Sequence, residues 1–154
     1  MAAVFDTNIL IDHLSGIPAA SSTILAHSDR FISRITWIEV MVGSNRPGQS
    51  LAEVRAFLTG FRIIELDDAI AEESVAVRQN HKVKLPDAII FATARRCGIP
   101  LMTRNTKDFP SGAPGIVIPY AVQRRPPSPS LAAFSHESPE AHLRSRSAYC
   151  DQPV

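Results

Sequence analysis

Ala2-Ala3-Val4-Phe5-Asp6-Thr7-Asn8-Ile9-Leu10-Ile11-Asp12 changes character at its acid. Residues 2–6 read as a short strand, apolar on both faces until Asp6, as strands buried between two layers are. After the acid, Thr7 or Asn8 can cap a helix that runs to about Leu14 and stops at Ser15-Gly16. The same alternation continues outward. Phe31–Ile35, Arg62–Leu66, Leu101–Thr103 and Gly115–Tyr120 read as further strands. Between them, Pro18–His27, Trp37–Val42, the segment holding Leu51, Val54, Phe57 and Leu58, a stretch after Asp67-Asp68 to about Asn80, and Leu85–Arg96 read as helices. Strands alternating with helices predict an α/β fold, an α/β/α sandwich around a parallel five-stranded sheet.

Four apolar elements end or begin on an acid. Asp6 closes the first strand. Glu39 follows Thr36-Trp37-Ile38. Asp87 follows Leu85-Pro86. Asp108 lies just past the fourth strand, in Thr103-Arg104-Asn105-Thr106-Lys107-Asp108-Phe109. In parallel sheets, ligands bind beyond the carboxyl ends of the strands, and Asp6 and Asp108 both belong to that edge. Glu39 and Asp87 are expected in first helical turns that reach it. Carboxylates gathered there repel one another unless a cation sits among them. Oxygen donors without Cys or His spacing favour Mg²⁺ or Mn²⁺, whose usual work in such a site is phosphate-ester hydrolysis.

Each acid also has a plainer reading. Asp6 can cap the helix that follows it. Thr36-x-x-Glu39 is a capping-box pattern. Asp87 suits the positive end of a helix, and Asp108 suits a turn before Phe109-Pro110. Asp12, Asp29, Asp67, Asp68, Glu72 and Glu73 lack the apolar framing and read as solvated or helix-start charges. Arg34, Arg46, Lys82, Lys84, Arg104 and Lys107 are candidate contacts to the backbone of a polyanion. Trp37 reads as core, or as a stacking platform.

Composition narrows the class. A chain of 154 residues, 45% hydrophobic and 20% charged, makes one soluble globular domain with at most an appended tail. No apolar run reaches membrane-spanning length, and the N-terminal stretch is too short and too little basic for a signal peptide. A cytoplasmic protein without membrane contact is expected. The two Cys and five His show no metal-ligand spacing. After Tyr120 the composition turns to Pro, Ser and Arg. Residues 1–120 are therefore read as the folded domain and residues 121–154 as a weakly ordered C-terminal tail.

The motifs together resemble a PIN-domain protein. Val4-Phe5-Asp6-Thr7-Asn8-Ile9-Leu10-Ile11-Asp12 carries the resemblance first. Thr36-x-x-Glu39-x-x-x-Gly43, Leu85-Pro86-Asp87-Ala88-Ile89-Ile90-x-Ala92-Thr93-Ala94 and Leu101-x-Thr103-Arg104-Asn105-Thr106-Lys107-Asp108-Phe109 complete it in order. The style and size are similar to the VapC toxins of bacterial toxin–antitoxin pairs. The resemblance covers residues 1 to about 120. It implies a Mg²⁺- or Mn²⁺-dependent ribonuclease acting on structured RNA such as tRNA or rRNA, a homodimer, and an antitoxin partner that blocks the site. Asp6, Glu39, Asp87 and Asp108 match the acids that hold the metal and carry catalysis. Thr7, Asn8, Thr103 and Asn105 match the positions that orient ligands or water around them. Many PIN domains have an acid where Asn105 stands, so either Asn105 or Asp108 can be the fourth member. The alternative is a non-catalytic PIN-like module that binds RNA or protein.

Overall fold

The computed structural model describes residues 1–44, 48, 50–109 and 112–121. In chain order the elements are β1 (Ala2–Phe5), α1 (Thr7–Leu14), α2 (Pro18–Leu25), β2 (Asp29–Ser33), α3 (Arg34–Gly43), α4 (Leu51–Leu58), β3 (Arg62–Ile64), α5 (Asp68–His81), α6 (Leu85–Cys97), β4 (Leu101–Met102) and β5 (Ile116–Val117). The strands form one five-stranded sheet in the order β3-β2-β1-β4-β5, and every neighbouring pair is parallel. The α/β expectation holds. Most of the expected tail, from residue 122 onward, lies outside the described residues, as does Arg46. Among the described residues no helix is long and apolar enough to cross a membrane.

Each face of the sheet has its own core, and β1 feeds both. Ala3 and Phe5 point into a cluster with Ile9, Leu10, Ile24, Val40 and Val54 from α1 to α4. Val4 points the other way, among Ile70, Val77, Ile89 and Ile90 of α5 and α6. Alternate residues of a strand face opposite sides, so this short run needs no polar residue before Asp6. Fully burying one such large apolar side chain contributes roughly 1.5–3 kcal/mol.

Helix boundaries follow local chemistry. The Asp67 carboxylate accepts from the Ile70 N–H at 2.8 Å and starts α5. Pro86 lies in the first turn of α6, and Gly98, with φ 66°, closes that helix in the left-handed region. The capping box expected at Thr36 and Glu39 is not one. The Ser33 hydroxyl accepts from the Ile35 N–H at 3.3 Å and starts α3 directly after β2. Glu39 therefore sits in the second turn, not the first, where backbone N–H groups already have partners. A true capping box joins Ser50 and Glu53 at the start of α4.

The strand order creates the site. The chain leaves β1 toward β2 and β3, then returns across the opposite face through α5 and α6 to β4 on β1's other side. The direction reverses between β1 and β4, which opens a crevice at their carboxyl ends. Asp6 follows β1 and Thr103 follows β4.

Candidate active site

Asp6 occupies the N-cap position of α1, yet its side chain makes no capping bond. Its carboxylate is engaged across the crevice instead. Oδ2 accepts from the Thr103 hydroxyl at 2.6 Å and from the Asn8 amide at 2.5 Å. Asp6 is only 4% exposed. Burial, followed by the negative charges of Asp87 and Glu39, pushes its pKa up to about 6 against the pull of the Thr103 hydroxyl.

Glu39 reaches the crevice from α3, where the Thr7 hydroxyl donates to its Oε2 at 2.5 Å. Asp87 enters from the first turn of α6. Burial raises its pKa, and the charges of Asp108 and Glu39 raise it further. Lys84 and the Asn105 amide act in the opposite sense. Asn105 and Asp108 are bound to each other: the Asn105 amide donates to Asp108 Oδ2 at 2.7 Å, and the Asp108 N–H donates to Asn105 Oδ1 at 3.2 Å. Both act on Asp87, Asp108 through its charge and Asn105 through its side-chain amide.

Asp6 thus feels the charges of Asp87 and Glu39, and Asp87 those of Asp108 and Glu39. Among the described residues, no group of three or more Asp, Glu, His or Cys is set closely enough to enclose an ion by itself. A hard divalent cation, if bound, would be held by one or two of these carboxylates and would complete its shell with water and substrate oxygens. Thr7, Asn8, Thr103 and Asn105 all lie within the network that fixes the carboxylates.

The basic residues divide. Arg34 pairs with Glu65, and its guanidinium lies 5.3 Å from the centre of the Trp37 ring. Arg104 pairs with Asp12. Lys84 is exposed at the N-cap of α6, beside Asp87, and Lys107 is exposed one residue before Asp108. Lys82 is exposed at the end of α5. Trp37 is half-buried against the α1–α4 core, with Arg55 on its ring at 5.6 Å as well.

The family model for the PIN domain matches residues 3–112. This chain belongs to the PIN-domain family. It is 51% identical to a chain of a toxin–antitoxin complex from Klebsiella pneumoniae, covering 79% of this chain and 100% of that one, with a TM-score of 0.74. It is 28% identical over 116 residues to the tRNA(fMet)-specific endonuclease VapC of Shigella flexneri, covering 69% of this chain and 88% of that protein. The structure of FitAB bound to an IR36 DNA fragment shares the fold, with a TM-score of 0.66 at 21% identity, covering 79% of this chain and 98% of that one.

Two residues of this PIN domain escaped the sequence reading. Asp12 is not a solvated charge: it is 8% exposed and bound to Arg104 and Tyr120. Tyr120, read only as the end of a strand, donates its hydroxyl to Asp12 at 2.8 Å. The available signal was the i, i+4 spacing of Asn8 and Asp12, which puts both on one face of α1.

Proposed function

We propose that this PIN domain is a divalent-metal-dependent ribonuclease and the toxin of a toxin–antitoxin pair, with Mg²⁺ as its ion and Mn²⁺ as a substitute. The observation that carries the reading is Asp6. A carboxylate buried beside Glu39 and Asp87 is held at an energetic disadvantage. A bound cation reverses that disadvantage. The 51% identity to a chain of a toxin–antitoxin complex supports the biological role. The VapC endonuclease relative supports tRNA as the substrate class. Homodimerisation belongs to the same proposal. The exposed Leu66, Val75 and Leu85 around an apolar groove on α5 and α6 offer surface for it.

Asp6 and Asp87 would hold the ion, with Glu39 and Asp108 completing the negative edge. When bound, the ion supplies positive charge against the scissile phosphate and makes a water more acidic. The remaining work falls to the chain. Thr103 and Asn8 hold Asp6 through Oδ2. Thr7 orients Glu39, leaving its second oxygen to take a proton or position water. Asn105 ties Asp108 to the same edge. Lys84 and Lys107 flank the edge and can meet the RNA backbone.

The test is cleavage of unfractionated tRNA by the purified chain. Cleavage should require added Mg²⁺ or Mn²⁺ and stop with EDTA. Residues 1–120 are proposed as the complete nuclease domain and residues 121–154 as an accessory tail, so the fragment ending at Tyr120 should cleave at the full chain's rate. Binding of tRNA without cleavage in any divalent ion would support the non-catalytic alternative.

Glu39 allows a sharper test. Glu39→Gln keeps an oxygen that accepts from Thr7 and removes the charge. It should melt within a few degrees of wild type and lose roughly 10–100-fold in cleavage rate. If cleavage is retained and only the melting temperature moves, Glu39 is a structural residue.

A further inference from the structure

Asp12 belongs to none of the four acids' contacts. It lies one turn beyond Asn8 on the same face of α1, and both residues grip Arg104. Asn8 Oδ1 accepts from the Arg104 backbone N–H at 3.1 Å. Asp12 Oδ1 accepts from Arg104 Nη2 at 2.8 Å, and its Oδ2 pairs with Nε. The Tyr120 hydroxyl donates to that same Oδ2 at 2.8 Å. The guanidinium is thus held by one charge-assisted hydrogen bond through Nη2 and by an ion-pair contact at Nε, which makes no hydrogen bond of its own. It also offsets much of the cost of burying Asp12.

Arg104 is the middle of a three-residue segment that serves the site. Before it, the Thr103 hydroxyl donates to Asp6 and accepts from the Asn8 amide at 3.1 Å. After it, the Asn105 N–H donates to Thr103 Oγ1 at 3.0 Å, and the Asn105 amide donates to Asp108. Displacing Arg104 would disturb the contacts of Asp6 and Asp108 together. Asp12 is not a fifth member of the acidic edge, because its oxygens are committed to Arg104 and Tyr120.

We propose that Asp12 and Arg104, braced by Tyr120, are positioning residues that hold the Thr103–Asn105 segment, and with it Asn8, in register with Asp6 and Asp108. The pairing also keeps a guanidinium turned away from an edge that would otherwise attract it in place of a divalent ion. The effect on catalysis rests on the nuclease reading above; the effect on Asn8 does not.

The experiment uses the full chain carrying Asp12→Asn, Arg104→Gln, or both, with Tyr120→Phe as a milder change. Three quantities are measured: kcat and KM on unfractionated tRNA, the Mn²⁺ dissociation constant by electron paramagnetic resonance, and the Asn8 side-chain amide signals of metal-free protein by NMR. Each of the two single variants should lose about tenfold in kcat with KM unchanged. Each should bind Mn²⁺ more weakly and show shifted or broadened Asn8 amide signals. The double variant should be no worse than the poorer single one, because both break one link. Tyr120→Phe should give the same changes to a smaller degree. Unchanged Asn8 signals and unchanged kcat, with only a lower melting temperature, would overturn the proposal. So would a raised KM in Arg104→Gln with Asp12→Asn unaffected, which would make Arg104 an RNA contact. If Asp12→Asn does not fold, Arg104→Lys decides by the same measurements, since Lys keeps the charge and loses the planar guanidinium that reaches Asp12 through Nη2 and Nε. If the wild type cleaves no RNA, the nuclease reading fails, and the Asn8 signals still decide the positioning role.

Discussion

Asp6→Asn is expected to abolish RNA cleavage and, in metal-free buffer at pH 7, to raise the melting temperature. Both effects have one source. Burial and the neighbouring charges of Asp87 and Glu39 move the Asp6 pKa from 3.8 to about 6. A carboxylate whose folded pKa is raised binds its proton more tightly in the folded state. Between about pH 4 and pH 6 the folded chain therefore holds more protons than the unfolded chain. Its stability falls as pH rises through that window and stays low above it. At pH 7 the ionised group costs on the order of 3 kcal/mol. Asn removes the charge and keeps an oxygen for Thr103 and Asn8. The expected gain is roughly 5–10 °C at pH 7, vanishing by about pH 4. Calorimetry in EDTA at the two pH values checks it. The same charge is what an ion needs, so below pH 6 metal affinity should drop about tenfold per pH unit as a proton must be displaced. A folded Asp6→Asn protein that still cleaves would remove Asp6 from the metal site. One that melts no higher at pH 7 would show that burial and the neighbouring charges place no such cost on the ionised Asp6.

The residues that fix the fold were readable because their signals are local. Ala2–Phe5 has no polar residue before Asp6, so it had to be covered on both sides, and two separate cores cover it. Pro86 and Gly98 mark the ends of α6 by backbone chemistry alone. The start of α3 was placed too late for an equally local reason. Ser33 and Thr36 both suit an N-cap, and the strand-to-helix junction, which uses Ser33, is set by where β2 stops pairing. The site was legible as a set of residue types and not as a set of contacts. Thr103 meets Asp6 across 97 positions, Arg104 meets Asp12 across 92, and Tyr120 meets Asp12 across 108. Spacing rules reach one or two helical turns and say nothing about such pairs. Asp12 thus looked like any polar residue on an amphipathic helix until the sheet brought β4 beside β1.

Expression of the wild-type chain alone is expected to arrest bacterial growth, and Asp87→Asn to release it. Asp87 has a ready structural excuse, since the first turn of a helix favours a negative charge. That excuse is incomplete here: burial and the charges of Asp108 and Glu39 raise its pKa, against the opposing pull of Lys84 and the Asn105 amide. An acid kept where it is electrostatically disfavoured serves something other than stability. The amide variant should therefore fold at least as well as wild type while losing about 10²-fold or more in cleavage. Colony counts after induction give the difference directly, with circular dichroism confirming the fold. The same edge predicts how a partner restrains the enzyme. Carboxylates that attract Mg²⁺ also attract an Arg or Lys. The antitoxin should present such a side chain to the pocket formed by Asp6, Glu39, Asp87 and Asp108, and its co-expression should restore growth. Unimpeded growth of cells rich in folded, RNA-cleaving wild type would defeat the toxin role and leave the chemistry standing. An Asp87→Asn chain as lethal as wild type would defeat the chemistry itself, because growth arrest would then owe nothing to the acidic edge.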